Sequence, residues 1–337
     1  MDINEKQHSK DLFGEVIEPE SRGAIADRFS LPPFSVLSAR EGFWQDRKRA
    51  WIAMGIQSEL GRGEASPGGS PRSSCDFSKK EKGRGNGKPL AAAYTTDHKL
   101  SDGSMMYEQS GTSIFDPVLT ELAYTWFCPA GGQILDPFAG GSVRGIVAGH
   151  LGYRYWGCDL RAEQIEANRA QAGDILGGDN VSWVCGDSLD EVDDAPSADF
   201  VFSCPPYGNL EVYSDDPRDI SNMEYHTFIP SYKRIILRAC KKLKQDRFAC
   251  FVVGDFRDKK GNYQNFVSDT ISAFREQGLH LYNEAILLTC VGSLPIRIGK
   301  QFVASRKMGK THQNILVFVK GDGKKAAKFI NESGPES

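Results

Sequence analysis

The sequence lacks the cysteine pattern of a metal site or a disulfide scaffold. Its eight cysteines (Cys75, Cys128, Cys158, Cys185, Cys204, Cys240, Cys250 and Cys290) form no CxxC pair, and none joins a histidine at zinc-finger spacing. Most sit inside apolar stretches, where a free thiol is usually a small core residue, so reduced cysteines, no metal and a cytoplasmic location are expected. No apolar run approaches membrane-spanning length, and the opening MDINEKQHSKDLFGE holds no apolar signal core, so neither membrane insertion nor export is expected. Positive charge is not in excess either. The formal net charge is −3, so any nucleic-acid footprint must be local. The phosphate-cradling patterns GxGxxG and GK[ST] are absent, and no internal repeat occurs. What remains is an ordinary globular composition, 40% apolar and 25% charged, over 337 residues, enough for one large domain or two modest ones.

The texture changes along the chain. Residues 1–30 are polar. From about Arg40 to Leu60 an amphipathic helix is expected, mixing Phe43, Trp44, Trp51, Met54 and Ile56 with Arg40, Arg47, Lys48 and Arg49. Two readings are open: a helix docking its aromatics on a neighbour, or a basic and aromatic face for nucleic acid. Residues 61–110 begin with a Gly-, Ser-, Pro- and Lys-rich stretch too poor in apolar groups to offset its ordering entropy, and read as a flexible linker. From Thr112 short apolar strands alternate with helices: QILDP, YRYWGCDL, VSWVCGD, ADFVFS and RFACFVVGDF, then LYNEAILLTCVG and NILVFVKG with no room expected for a crossover helix between them. That alternation predicts a doubly wound parallel α/β sheet, with the last two strands as an antiparallel edge hairpin. The expected domains are an N-terminal extension over 1–60, the linker, a catalytic domain over 111–321 and a polar tail over 322–337.

In such sheets ligands bind outside the carboxyl ends of the strands, at the point where strand order reverses. The first strand ends LDPFAGGSVRG, where Gly140 and Gly141 let backbone approach a ligand. Asp136, Asp159 and Asp187 end three successive strands. Each acid alone suits a helix N-cap; together, beside a glycine turn, they favour a nucleoside-containing cofactor. The fourth strand ends SCPPYG. Proline cannot donate to a ladder, so the strand stops there in a stiff, donor-poor corner carrying an aromatic.

LDPFAGGS followed by SCPPYG, with a closing KTHQNILVFVK, resembles the S-adenosylmethionine-dependent DNA amino-methyltransferases, which methylate adenine N6 or cytosine N4. The resemblance covers roughly residues 110–320 and extends to the solitary modification enzymes carried by many phages and prophages. It implies the Rossmann-like Class I methyltransferase fold, S-adenosyl-L-methionine as cofactor with S-adenosyl-L-homocysteine as product, and double-stranded DNA as partner, with RNA as the alternative acceptor and a monomer or homodimer as the assembly. It places Asp136, Pro137, Phe138, Gly140, Gly141 and Ser142 against the methionine half of the cofactor, Asp159 and Leu160 at the ribose, and Asp187 and Ser188 at the adenine. Ser113 and Phe115 fall in the segment that contacts the cofactor carboxylate in relatives, although the usual lysine is replaced by Phe115-Asp116.

The corner suits the chemistry. An exocyclic amino nitrogen is a poor nucleophile because its lone pair is delocalised, so the protein must orient it with preorganised acceptors. Carbonyls around Pro205 and Pro206 accept without a competing N–H, and Tyr207 offers a face to an extruded base. Relatives place Asp, Asn or Ser before Pro-Pro. Here Cys204 stands there, and a thiol is a weak acceptor. Three explanations stay open: the carbonyls suffice, Ser203 or another side chain substitutes, or the chemistry is changed or lost. A basic, acid-free stretch between the last two strands supplies Arg297, Lys300, Arg306, Lys307 and Lys310 as the expected DNA contacts.

Overall fold

The computed structural model describes residues 30–56, 97–99, 105–107, 115–210, 213–291 and 294–333. The chain divides into two compact units, Met1–Phe34 and Ser35–Ser337, and the sheet with its helices belongs to the second.

That sheet has eight strands. Three run outward in sequence: β4 (Gln133–Asp136), β5 (Arg154–Asp159) and β6 (Val181–Cys185). The chain then returns to the other side of β4 for β7 (Ala198–Ser203) and β8 (Leu243–Val253), all parallel. The order therefore reverses between β4 and β7, which is where such sheets open a crevice. Both strands are buried along their whole length, as the near-continuous apolar runs QILD and ADFVFS require of strands covered on both faces. The helices α2 (Pro117–Phe127), α3 (Val143–His150), α4 (Ala162–Ile175), α5 (Ser188–Glu191), α6 (Tyr225–Lys242) and α7 (Phe266–Arg275) connect or cover these strands. On one side of the core, aromatic rings interlock: Phe228 stacks on Tyr232 at 5.5 Å, Phe251 meets Phe274 at 4.9 Å, and Phe274 stacks on Phe318 at 4.0 Å.

The doubly wound sheet is the expected one, with three refinements. First, β9 (His280–Leu288) and β10 (His312–Lys320) pair antiparallel as expected, but β10 alone runs against the sheet, slotted between β8 and β9. The edge beyond β9 is closed by β1 (Val36–Ser38), parallel to it, and the connection from β9 to β10 carries a helix, α8 (Leu294–Ser305).

Second, residues 36–53 are not a separate extension. β1 joins the main sheet, and α1 (Gly42–Ala53, shorter than the expected 40–60) docks on α2. The Trp44 indole and the Lys48 ammonium both donate to Asp116, at 3.2 and 3.1 Å. Arg47 pairs with Glu121, which also accepts from the Trp51 indole at 2.8 Å. Of the two readings of this helix, the docking one holds, because its aromatics and two of its cations are committed to α2.

Third, the expected polar tail begins with a helix, α9 (Gly323–Ser333). Its Ala326 is fully buried, and Phe329 lies under the Arg247 guanidinium at 3.5 Å. Of the expected linker, the described residues are a two-stranded ribbon of β2 (Asp97–Lys99) and β3 (Met105–Tyr107); its remainder and Ser113 lie outside the described residues.

Candidate active site

A cavity of about 810 Å³ opens at the carboxyl ends of the parallel strands, over the reversal between β4 and β7. One wall is the turn after β4 with the ends of β5 and β6. It carries Pro137, Phe138, Gly140, Gly141, Asp159, Leu160, Asp187 and Ser188. The other wall is the corner after β7, Cys204 to Tyr207. Phe115 also lines the space, with the Arg144 guanidinium 4.6 Å from its ring centre.

Asp136, assigned by resemblance to the cofactor, is sealed beneath this floor. It has no exposed surface and its carboxylate is fully engaged. One oxygen accepts from the Ser203 hydroxyl at 2.5 Å and the Phe138 amide at 3.2 Å; the other accepts from Arg144 Nε at 2.6 Å and the Tyr155 hydroxyl at 2.8 Å. Arg144 in turn donates to the carbonyls of Phe138 and Ala139, at 2.5 and 2.9 Å. The carboxylate therefore ties the glycine turn to the base of the Pro-Pro-Tyr corner, and it presents no surface to the cavity. Ser203 is corrected with it: buried and donating to Asp136, it does not face the cavity as a substitute acceptor. Ser142 is likewise buried, its hydroxyl donating to Gln171 at 2.6 Å. The sequence carried no sign of this network, since Arg144, Tyr155 and Ser203 meet Asp136 only through the fold.

Asp159 behaves differently. Its carboxylate accepts from the Gly140 amide at 3.0 Å and the Arg161 amide at 2.9 Å, and it lines the cavity. Burial raises its pKa, opposed by those amides and by the Arg161 charge. Gly140 sits at φ +51°, and a Cβ there would meet nothing within 4 Å, so the turn leaves room above it. Asp187 is both of the things its position allowed. It caps α5, accepting from the Leu189 amide at 2.8 Å, and it lines the cavity. Ser188 faces the same space while donating to the Pro137 carbonyl at 2.6 Å.

At the corner, Pro205 is buried, and Cys204, Pro206 and Tyr207 are half-buried. The Tyr207 ring packs edge-on against Phe266 at 6.1 Å, and its hydroxyl accepts from Gln313 of β10 at 2.8 Å. Burial, with the Cys204 thiol beside it, pushes the Tyr207 hydroxyl well above its ordinary pKa. The thiol sulfur lies 4.0 Å from that hydroxyl. Gly208 follows at φ +55°, and any side chain there would strike the Phe256 ring. Of the acidic residues that follow, Asp219 caps a short helical turn through the Ser221 amide, and Asp216 pairs with Arg218.

The expected DNA contacts spread over the β9–β10 connection, on the same sheet edge as the corner. Lys300 lies exposed on α8; Arg306, at φ +54°, follows its end; Arg297 is on α8, its side chain outside the described residues. Lys307 lies against Gly261, and Lys310 reaches into the cavity. Gln313 and Lys310, which shape the corner from β10 and the loop before it, were not assigned to it from sequence.

No helix among the described residues is long and apolar enough to cross a membrane. No family model and no curated protein matches the chain. Among solved structures it is similar to TrmN from Thermus thermophilus, at 13% identity over 61% of this chain and 49% of that one, with a TM-score of 0.41. It is also similar to a putative RNA methyltransferase from Pyrococcus horikoshii (17% identity, 61% and 82% covered, TM-score 0.39) and a putative sarcosine dimethylglycine methyltransferase from Galdieria sulphuraria (16%, 61% and 83%, 0.42). The chain spans about half the length of the Thermus protein, and likeness this distant assigns neither substrate nor residue roles.

Proposed function

We propose that the protein transfers a methyl group from S-adenosylmethionine to the exocyclic amino group of adenine (N6) or cytosine (N4) in double-stranded DNA. The observation that carries this reading is a single cavity with two different walls. A glycine turn with two carboxylates faces a donor-poor Pro-Pro-Tyr corner across the strand reversal.

The residues suit the cofactor. Gly140 leaves open space over the turn, Asp159 presents a half-buried carboxylate to ribose hydroxyls, and Asp187 and Ser188 stand at the next strand end for the adenine. Bound there, the cofactor supplies a methyl group already activated by its sulfonium. The chain's own part is then positional. Pro205 and Pro206 carry no N–H, so the carbonyls beside them accept from an amino group without competition. Tyr207, held at its edge by Phe266 and at its hydroxyl by Gln313, presents a fixed face for a base to stack on. Held by Gly140, Asp159, Asp187 and Ser188, the cofactor would supply the methyl group and its sulfur would keep the bonding electrons, while the amino nitrogen oriented at the corner would give up its proton to water. Cys204 adds little as an acceptor, which leaves the carbonyls as the main orienting groups.

The reading is tested by incubating the protein with labelled S-adenosylmethionine and either unmodified duplex DNA or, in parallel, RNA, then digesting to nucleosides for mass spectrometry. Labelled N6-methyladenine or N4-methylcytosine is the expected product. Label in RNA alone, or in neither polymer, overturns it.

A further inference from the structure

Lys310 differs from the other cations around α8. Lys300 and Arg306 are exposed, whereas Lys310 is half-buried and lines the cavity. Its ammonium donates to the main-chain carbonyl of Asp255, just past β8, at 3.1 Å. A methyl group on Gly254 would meet both Lys310 Nζ, at 3.2 Å, and Tyr207 Cε2, at 3.8 Å. The ammonium and the Tyr207 ring therefore border one small space, and glycine keeps that space open. An ammonium has three hydrogens, so donors remain beyond the bond to Asp255. Burial pulls the Lys310 pKa down against the opposing charge of Asp255, as a cation withdrawn from solvent requires.

Two neighbouring donors that line the same cavity are already engaged. Gln313 donates to the Tyr207 hydroxyl. The Arg257 guanidinium lies 3.9 Å over the Tyr263 ring and donates to the Gly261 carbonyl. The Pro-Pro corner offers acceptors only. Yet a base extruded from a duplex brings an acceptor of its own. The ring nitrogen beside its amino group has lost the partner base that donated to it, and leaving it buried without a donor is costly.

Resting on the amino-methyltransferase reading of the same cavity, we propose that Lys310 is a specificity-determining residue that donates to the ring nitrogen adjacent to the target amino group, and is not a phosphate contact. Adenine and cytosine both present an unprotonated nitrogen there, N1 and N3. Guanine and thymine carry N–H at the corresponding position and face the ammonium donor to donor.

The test uses the full chain and an oligonucleotide of the sequence found methylated. The target position carries either the natural base or its deaza analogue, 1-deazaadenine or 3-deazacytosine, opposite an abasic site so that pairing strength does not enter. The wild-type protein is expected to prefer the natural strand in kcat/KM by about tenfold or more. Lys310→Met is expected to be slower on the natural strand and to treat both strands nearly alike, whereas Lys310→Gln, which still carries N–H donors, is expected to retain part of the preference; S-adenosylhomocysteine affinity by calorimetry reports an intact fold in both. Lys310→Met keeping the wild-type preference while losing rate overturns the assignment, as does a wild-type protein indifferent to the analogue. A wild-type protein that methylates no DNA strand overturns the underlying reading and this assignment with it.

Discussion

Asp136 ends β4 with no exposed surface and four donors on its carboxylate, whereas Asp159 ends β5 with two backbone donors and a face on the cavity. The difference fixes what each substitution does. Asp136→Ala leaves the Arg144 guanidinium, 5% exposed, without its counter-charge, and breaking a buried pair from one side costs about 3–5 kcal/mol. Urea unfolding is expected to show that loss. Asp159→Asn is expected to leave stability near wild type and weaken cofactor binding. Its pH behaviour has the opposite sign from a salt-bridged acid. Burial raises the folded pKa above the unfolded one, so protonation favours the folded state as pH falls, while a carboxylate gripping hydroxyls is lost. Calorimetry is therefore expected to show S-adenosylhomocysteine binding weakening as pH falls, beginning at a higher pH than an ordinary aspartate would set, with no parallel loss of stability from this group, and Asp159→Asn removing that pH dependence. At Tyr207 the expectation is kinetic. Replacement by Ala keeps cofactor affinity and lowers kcat/KM by about five- to a hundredfold, the loss of one base–aromatic stack.

Among the elements, α1 and α8 look alike in sequence, since each mixes cations with apolar side chains, and packing separates them. Arg47, Lys48 and both indoles of α1 meet Asp116 and Glu121, about seventy residues further along the chain, so nothing local in 40–60 distinguishes a docked helix from a nucleic-acid face. Glu121→Ala removes the acceptor that Arg47 and the buried Trp51 indole share, and a loss of about 1–3 kcal/mol, mostly from the unsatisfied indole, is expected in thermal or urea unfolding. On the β9–β10 connection, replacing Lys300, Arg306 and Lys307 together by Ala is expected to weaken duplex binding and to reduce the slope of log K against log salt by about 3. Arg47→Ala is expected to leave that slope unchanged. A triple variant with the wild-type slope moves the DNA surface off this connection. The helix α9 had a legible signal that composition hid: Ala326, Phe329 and Ile330 fall at helical spacing within an otherwise polar stretch.

Across the whole molecule, strand–helix alternation was enough to place the sheet, because ADFVFS and FACFVV are short, near-continuous apolar runs bounded by turn residues, as parallel strands covered on both faces require. The glycine turn and the Pro-Pro-Tyr corner were legible for the same local reason: each breaks regular structure at a strand end. What stayed hidden was every contact that joins distant segments: β1 along β9, Ser203 and Tyr155 on Asp136, and Lys310 beside Tyr207. Those contacts make the cavity a property of the assembled sheet, and they set the last expectation. A cofactor seated across the ends of β4, β5 and β6 binds only the folded chain, so S-adenosylhomocysteine at a hundredfold excess over its Kd is expected to stabilise the fold by about 2.7 kcal/mol. For a folded unit of this size that corresponds to roughly 4–5 °C in Tm. The shift is expected to grow with the logarithm of ligand concentration in a thermal scan and to shrink in Asp159→Asn. A Tm that does not move at millimolar S-adenosylhomocysteine removes the cofactor from this cavity, whatever the Pro-Pro-Tyr corner then does.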